Sequence, residues 1–219
     1  PDSRRGHGTY QKVIETMKLL KRKKLPFGIS LCYTSQNVEV IGSDDYIDQM
    51  IDLGAKFAWF FTYMPVGTDA VPDLMVSPEQ RKFMYEKIRG WRNTKQLFTM
   101  DFWNDAEYAG GCIAGGRSYL HINANGDIEP CAFIHYSDSN IRTHTLIEAY
   151  KRPLFMQYRR NQPFNDNMLR PCPLLDNNGK LAEMVEASGA HSTDLQHPED
   201  VHRLCDKCTH AAERWQPVA

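Results

Sequence analysis

The chain has 219 residues, a length that holds one domain or two small ones. Apolar residues at 42% and charged residues at 24% exclude a disordered or collagen-like chain. A net charge of −1 leaves no electrostatic footprint for nucleic acid or an anionic membrane, and no apolar run approaches the ~20 residues that span a bilayer. No charged-then-apolar stretch opens the sequence as a signal peptide would. The first residue is Pro1 rather than Met, so a cut, a processing site or an internal position of a longer chain is expected there.

Tyr10, Val13, Ile14, Met17 and Leu20 recur at helical spacing and predict an amphipathic helix over about 8–24. Lys21, Arg22, Lys23 and Lys24 at its end read as a solvated terminus complementing the macrodipole, with a phosphate patch as the alternative. After Pro26, the alternation of Phe27, Ile29, Leu31 and Tyr33 with smaller residues predicts a strand. Ser43 is an N-cap for a helix whose buried face is Tyr46, Ile47, Met50 and Ile51, ending at Gly54. The run Phe57, Ala58, Trp59, Phe60, Phe61 predicts a strand buried on both faces. Ser77, Pro78, Glu79 and Gln80 form a capping-box pattern for a helix through Trp91, and Leu97, Phe98, Thr99 and Met100 predict a third strand.

This helix–strand order predicts a parallel sheet with ligands at the C-terminal strand ends. Those ends carry Ser30, Tyr33 and Thr34; Tyr63, Met64 and Pro65; and Asp101, Trp103 and Asn104. Three strands cannot close a barrel of about eight, so either a small three-layer domain or the back half of a larger sheet is expected.

From Gly110 the alternation stops. Short strands over 119–122 and 128–133 flank Asn125-Gly126, a two-residue hairpin signal. Five of the six cysteines fall in this half: Cys112, Cys131, Cys172 between two prolines, and the Cys205-x2-Cys208 pair. Disulfides are disfavoured by the absent secretion signal and the odd count. A zinc site would use four of the five, but the spacings match no common finger or ribbon. A cluster held by four thiolates is the third account. Cys32 reads as a small buried apolar residue, and His210, two residues after Cys208, as a surface or capping residue, with replacement of a Cys ligand as the alternative.

Cys112, thirteen residues, Gly126, four residues and Cys131, followed by Cys172 and Cys205-x2-Cys208, resemble the SPASM or twitch auxiliary domain of radical SAM enzymes. The string from Leu120 to Cys131 resembles that domain's hairpin. The first half resembles the second part of the radical SAM barrel, with Asp2, Arg4, Arg5 and Gly6 like the segment after its third strand. The resemblance implies an α/β chain, in which residues 1–109 are the C-terminal half of a partial (β/α) TIM-like barrel. Residues 110–219 would be a small, hairpin-containing, loop-rich iron–sulfur domain. The family's C-x3-C-x2-C motif and its Gly-Gly-Glu segment are absent from this sequence, so cleavage of S-adenosylmethionine is expected of a longer parent and not of this polypeptide alone.

In such a parent, the resemblance implies a 4Fe–4S cluster that binds S-adenosylmethionine and, once reduced, cleaves it to methionine and a 5′-deoxyadenosyl radical that takes hydrogen from substrate. Ser30 and Thr34 would contact the S-adenosylmethionine ribose or carboxylate. Tyr63, Met64 and Pro65 would line its adenosine side, and Asp101 and Asn104 would face substrate. An auxiliary 4Fe–4S cluster would be held by Cys112, Cys131, Cys172 and one or both of Cys205 and Cys208. The implied partners are a peptide or small-molecule substrate and a reductant such as flavodoxin or ferredoxin, with no nucleic acid and no membrane. Need for free thiols implies a cytoplasmic protein. The alternative from another class is a non-catalytic module, stabilised by zinc or iron–sulfur, for binding or electron transfer.

Overall fold

A computed structural model describes residues 2–219, apart from the side chains of Ser3 and Arg4. The expectation placed on Pro1 lies outside the described residues, as does the Arg4 side chain. The chain divides into two compact units, Pro1–Thr62 with Glu79–Phe102, and Tyr63–Pro78 with Trp103–Ala219.

The first unit alternates helices and strands as its periodicity predicts. Its elements are α1 (Asp2–Arg5), α2 (Thr9–Arg22), β1 (Gly28–Tyr33), α3 (Val38–Ile41), α4 (Asp44–Asp52), β2 (Phe57–Thr62), α5 (Pro78–Thr94) and β3 (Phe98–Asp101). Gly8 offers α2 no side-chain cap, and Asp2 replaces it by accepting from the N–H groups of Gly8 (2.9 Å) and Tyr10 (2.7 Å). Ser43 caps α4 as expected, accepting from Tyr46 N–H at 3.2 Å. Helix α5 starts at the expected proline, and the Gln80 amide donates to the Ser35 carbonyl at 3.0 Å.

The three strands form one parallel sheet in the order β1-β2-β3. Register puts Ile29, Ala58 and Thr99 on one face, and Leu31, Phe60 and Asp101 follow on the same side. On this face Phe60 is fully buried and meets Trp91 of α5 with ring centroids 5.9 Å apart. Trp91 also donates its indole N–H to Asp44 at 2.6 Å, which ties α5 to the start of α4.

The expectation of a β2 strand buried on both faces is corrected here. Phe57 is 42% exposed, Trp59 39% and Phe98 59%. In place of a covering layer, the aromatics pack on one another: Trp59–Phe61 at 5.1 Å, Phe61–Phe102 at 5.2 Å and Trp59–Phe102 at 5.8 Å.

The second unit has little regular strand. It holds α6 (Ala106–Ala109), β4 (His121–Ile122), β5 (Ile128–Glu129), β6 (Tyr136–Ser137), α7 (Leu146–Ala149), α8 (Pro153–Asn161), α9 (Lys180–Ser188), β7 (His191–Ser192) and α10 (Val201–Trp215). Strands β4 and β5 pair antiparallel, as do β6 and β7. The hairpin turn is not the two-residue type. Its strands end at Ile122 and Ile128, and Asn123 organises the loop by accepting from the N–H groups of Asn125 (2.9 Å) and Asp127 (3.0 Å). Gly126 follows at φ 88°, the left-handed region that glycine enters freely.

Helices α7 and α8 are separate because Pro153 starts α8 afresh. Leu154, Phe155 and Tyr158 are buried within this unit, with Phe155 against Ile128 and Ala149. The ends of the unit are joined over long stretches of sequence: Lys207 Nζ donates to the Gly67 carbonyl at 2.8 Å and pairs with Glu199 at 2.6 Å.

Candidate metal centre

Three loops of the second unit present cysteines, and local hydrogen bonds fix each loop. After α6, the Arg117 guanidinium gathers the carbonyls of Ala109 (2.6 Å), Gly110 (2.9 Å) and Cys112 (3.0 Å). Gly115 N–H then donates to the Pro130 carbonyl at 2.8 Å, which lays the Cys112 loop beside Cys131. Cys131 sits in a tight turn closed by Ile134 N–H on its own carbonyl at 3.0 Å. The Cys172 loop is organised by the carboxylate of Asp176, which accepts from Cys172 N–H at 3.0 Å, and by the Asn177 amide, which donates to the carbonyls of Arg170 (2.8 Å) and Cys172 (2.9 Å).

All six cysteines are free thiols. Backbone N–H groups point at their sulfurs: Ala114 at Cys112, Phe133 and Ala132 at Cys131, and Leu175 and Leu174 at Cys172, with Leu175 N at 3.4 Å from Sγ. Such donors stabilise thiolate. Burial acts the other way and pushes the Cys112 thiol up to about 12 and the Cys172 thiol well above 9. A buried thiolate therefore needs a cation to compensate it, which is what a metal ligand is given.

Cys112, Cys131 and Cys172 all bear electrostatically on the Tyr119 phenol. Among the described residues, no group of three or more His, Cys, Asp or Glu side chains closes round a single ion.

Cys205 and Cys208 lie on α10 and not in a loop; both are buried and one turn apart. Cys205 accepts from the N–H groups of Ala182 and Gly179. The thiol of Cys208 is pushed to about 12 by burial, and the Asp176 carboxylate bears on it as on Cys112 and Cys172. His210 is exposed: two residues further along a helix is a turn of about 200°, so it leaves the face of Cys208 and does not replace a ligand. Cys32 is half-buried in β1, in register with Phe61.

Two tyrosines complete the centre, and neither stands out in the sequence as a site residue. Tyr119 Oη is 2.7 Å from Cys131 Sγ. Tyr158 is fully buried, and its hydroxyl has no hydrogen-bond partner among the described residues. A bare buried hydroxyl costs about 1–3 kcal/mol. Its ring packs on Gly115, where a Cβ would come within 2.5 Å of the ring, and edge-on to Phe164 at 5.5 Å.

Beside Cys131, the fully buried Glu129 carboxylate meets His121 Nδ1 (2.7 Å), His135 Nδ1 (3.2 Å), Asn123 Nδ2 (3.1 Å) and Thr193 Oγ1 (2.5 Å). Burial alone would raise its carboxyl, but the hydrogen bonds from His135, Thr193 and His121 outweigh it and hold it below the ordinary value. The pattern His121-x7-Glu129 across a hairpin is the signal that points to this knot.

The strand-end residues are distributed over both units. In the first, Ser30 lies on the open aromatic face in register with Trp59, and Thr34 N–H donates to Asn37 Oδ1 at 2.7 Å. Asp101 is buried and shares the register of Phe60. In the second, Tyr63 Oη accepts from Val71 N–H at 3.1 Å, and Met64, Pro65 and Asn104 are buried.

Residues 112–173 match the family model of the SPASM iron–sulfur cluster-binding domain. The fold is similar to that of native anSMEcpe with bound AdoMet and Cp18Cys peptide, at 14% identity and a TM-score of 0.51, over 95% of this chain and 61% of that one. It is similar also to hexahistidine-tagged anSMEcpe with bound AdoMet, at 15% identity and a TM-score of 0.50, over 95% of this chain and 57% of that one. The chain thus spans about three fifths of the length of these proteins. No curated protein matches the sequence. No helix of the described residues is long and apolar enough to cross a membrane. Residues 112–173 thus carry the sequence pattern of a SPASM iron–sulfur cluster-binding domain, in a mixed α/β chain built on a parallel sheet whose fold is similar to that of anSMEcpe.

Proposed function

We propose that this chain serves in a cytoplasmic radical SAM enzyme that cleaves S-adenosylmethionine reductively and modifies a peptide or small-molecule substrate. Residues 1–109 form the C-terminal part of its partial barrel, and residues 110–219 hold an auxiliary 4Fe–4S cluster. The observation that carries the reading is the match of residues 112–173 to the SPASM domain, supported by the backbone N–H groups directed at the sulfurs of Cys112, Cys131 and Cys172 and by Tyr119 Oη at 2.7 Å from the Cys131 sulfur. The remaining ligation comes from one or both of Cys205 and Cys208, which lie one turn apart on α10, Cys205 with the backbone N–H groups of Ala182 and Gly179 at its sulfur.

When bound, the cluster supplies one-electron transfer or an open iron for substrate. The chain's own residues pre-form its seat. Arg117 pins the Cys112 loop and Asp176 the Cys172 loop, and the low-dielectric surroundings exclude water. Ser30, Thr34, Tyr63, Met64 and Pro65 take the S-adenosylmethionine side, and Asp101 and Asn104 the substrate side. A second cluster and a reductant such as flavodoxin or ferredoxin belong to the full enzyme. Support for a peptide substrate comes from the peptide bound by the similar anSMEcpe structure.

Anaerobic preparation tests this. A brown protein with a band near ~400 nm and about four irons per chain supports the reading. Cys112→Ala, Cys131→Ala and Cys172→Ala should each lose most of the iron, and so should the double variant Cys205→Ala with Cys208→Ala. A colourless protein with one zinc overturns the reading in favour of a zinc-stabilised module.

A further inference from the structure

Resting on that assignment of the cysteines, we propose that Tyr119 and Tyr158 donate their phenol hydroxyls to the sulfur atoms of the bound cluster and thereby set its reduction potential. Tyr158 carries the inference. A phenylalanine would fill the same buried space without leaving a bare oxygen, yet the residue is tyrosine and its hydroxyl is unpartnered. Its ring lies where the Cys112 and Cys131 loops join: it packs on Gly115, whose N–H binds the carbonyl of Pro130, the neighbour of Cys131. The groups that bear most on its phenol, after burial itself, are Cys131, Cys112, Cys172 and Tyr119, all of the metal centre.

Tyr119 approaches the same place from the Cys112 loop. Its backbone is held by N–H donation to the Ile113 carbonyl (3.4 Å) and by Gly116 N–H on its own carbonyl (3.0 Å), and its oxygen already stands at the Cys131 sulfur. A phenol O–H facing thiolate or sulfide disperses negative charge. Reduction adds one negative charge to the cluster, so the donors favour the reduced form and raise the potential. Both tyrosines act through the cluster's ligands and sulfides and touch no substrate.

The experiment uses the anaerobically prepared, iron-loaded protein and its Tyr158→Phe, Tyr119→Phe and double variants, each assayed for iron and sulfide and titrated electrochemically with an electron paramagnetic resonance readout. Parent-like iron with a midpoint potential shifted negative in each single variant, and furthest in the double, supports the proposal. Parent-like iron with unchanged potentials overturns it and leaves the cluster assignment standing. A parent protein that binds no iron overturns both. A folded Tyr158→Phe protein that loses its iron makes the tyrosine a structural support and overturns the tuning role. Replacing Tyr158 by 3-fluorotyrosine keeps the shape and strengthens the donor, so the potential should move positive; a negative shift or none overturns the proposal.

Discussion

Thr193 Oγ1 donates to Glu129 Oε1 at 2.5 Å across 64 residues of sequence, and so fastens the strand after α9 to the hairpin that delivers Cys131. Hydrogen bonds to a buried charge contribute about 1.5–3 kcal/mol each. Thr193→Val should therefore lower unfolding stability by roughly that amount in urea titration. Glu129→Ala should cost more, because His121, His135, Asn123 and Thr193 lose one shared acceptor. Equal stability of Thr193→Val and the parent would deny the contact any role.

The same carboxylate sets a pH dependence. Hydrogen bonding to Glu129 raises His135 above its ordinary 6.5, with Asp194 adding to it, burial opposing it, and His121 at 6.5 Å between ring centroids. A group whose pKa is raised on folding stabilises fully below its unfolded value and loses that contribution as pH rises through the folded one. Stability should thus decline from pH 6.5 upward, and His135→Gln should flatten that slope in urea midpoints measured over pH 5–9. A parental slope retained in the variant would place the titration elsewhere.

Gly115 offers a test of how closely the cysteine loop and Tyr158 are packed. It combines φ 68° with a Cβ position 2.5 Å from the Tyr158 ring. Gly115→Ala should destabilise by more than ~1 kcal/mol through backbone strain alone, and displacement of the ring should also reduce iron loading. A fully loaded, stable variant would show that the loop has room.

Neighbouring aromatics on β2 should respond in opposite ways. Phe60→Ala opens a cavity in the buried face and should cost about 3–5 kcal/mol. Phe57, three residues earlier and 42% exposed, should cost far less as Phe57→Ala. Similar losses in thermal unfolding would overturn the register described for this sheet.

The first unit was legible from periodicity because its helices and strands follow local rules: Ser43 caps where a serine should, and Pro78 opens α5. Burial of β2 was not legible, since an apolar run such as residues 57–61 looks alike whether a layer or only its own aromatics cover it. In the second unit, cysteine spacing matches the SPASM domain over residues 112–173, but Asn125-Gly126 misled because Asn123, two residues earlier, captures the turn. Tyr158 reads in sequence as one more apolar helix position, and only its bare oxygen in three dimensions distinguishes it. Cys205 and Cys208 look like a loop pair, yet their spacing suits adjacent turns of α10 equally well.

The contact of Lys207 with the Gly67 carbonyl closes 140 residues. A ribosome releases Gly67 long before α10 exists, so the segment 63–78 must wait, unpaired, while the first unit's third strand is made and docks. At synthesis rates of about 5–20 residues per second, the 140 residues take about 7–28 s. The second unit therefore cannot close until nearly the whole chain has been made, whereas the first unit's sheet is complete once β3 has emerged.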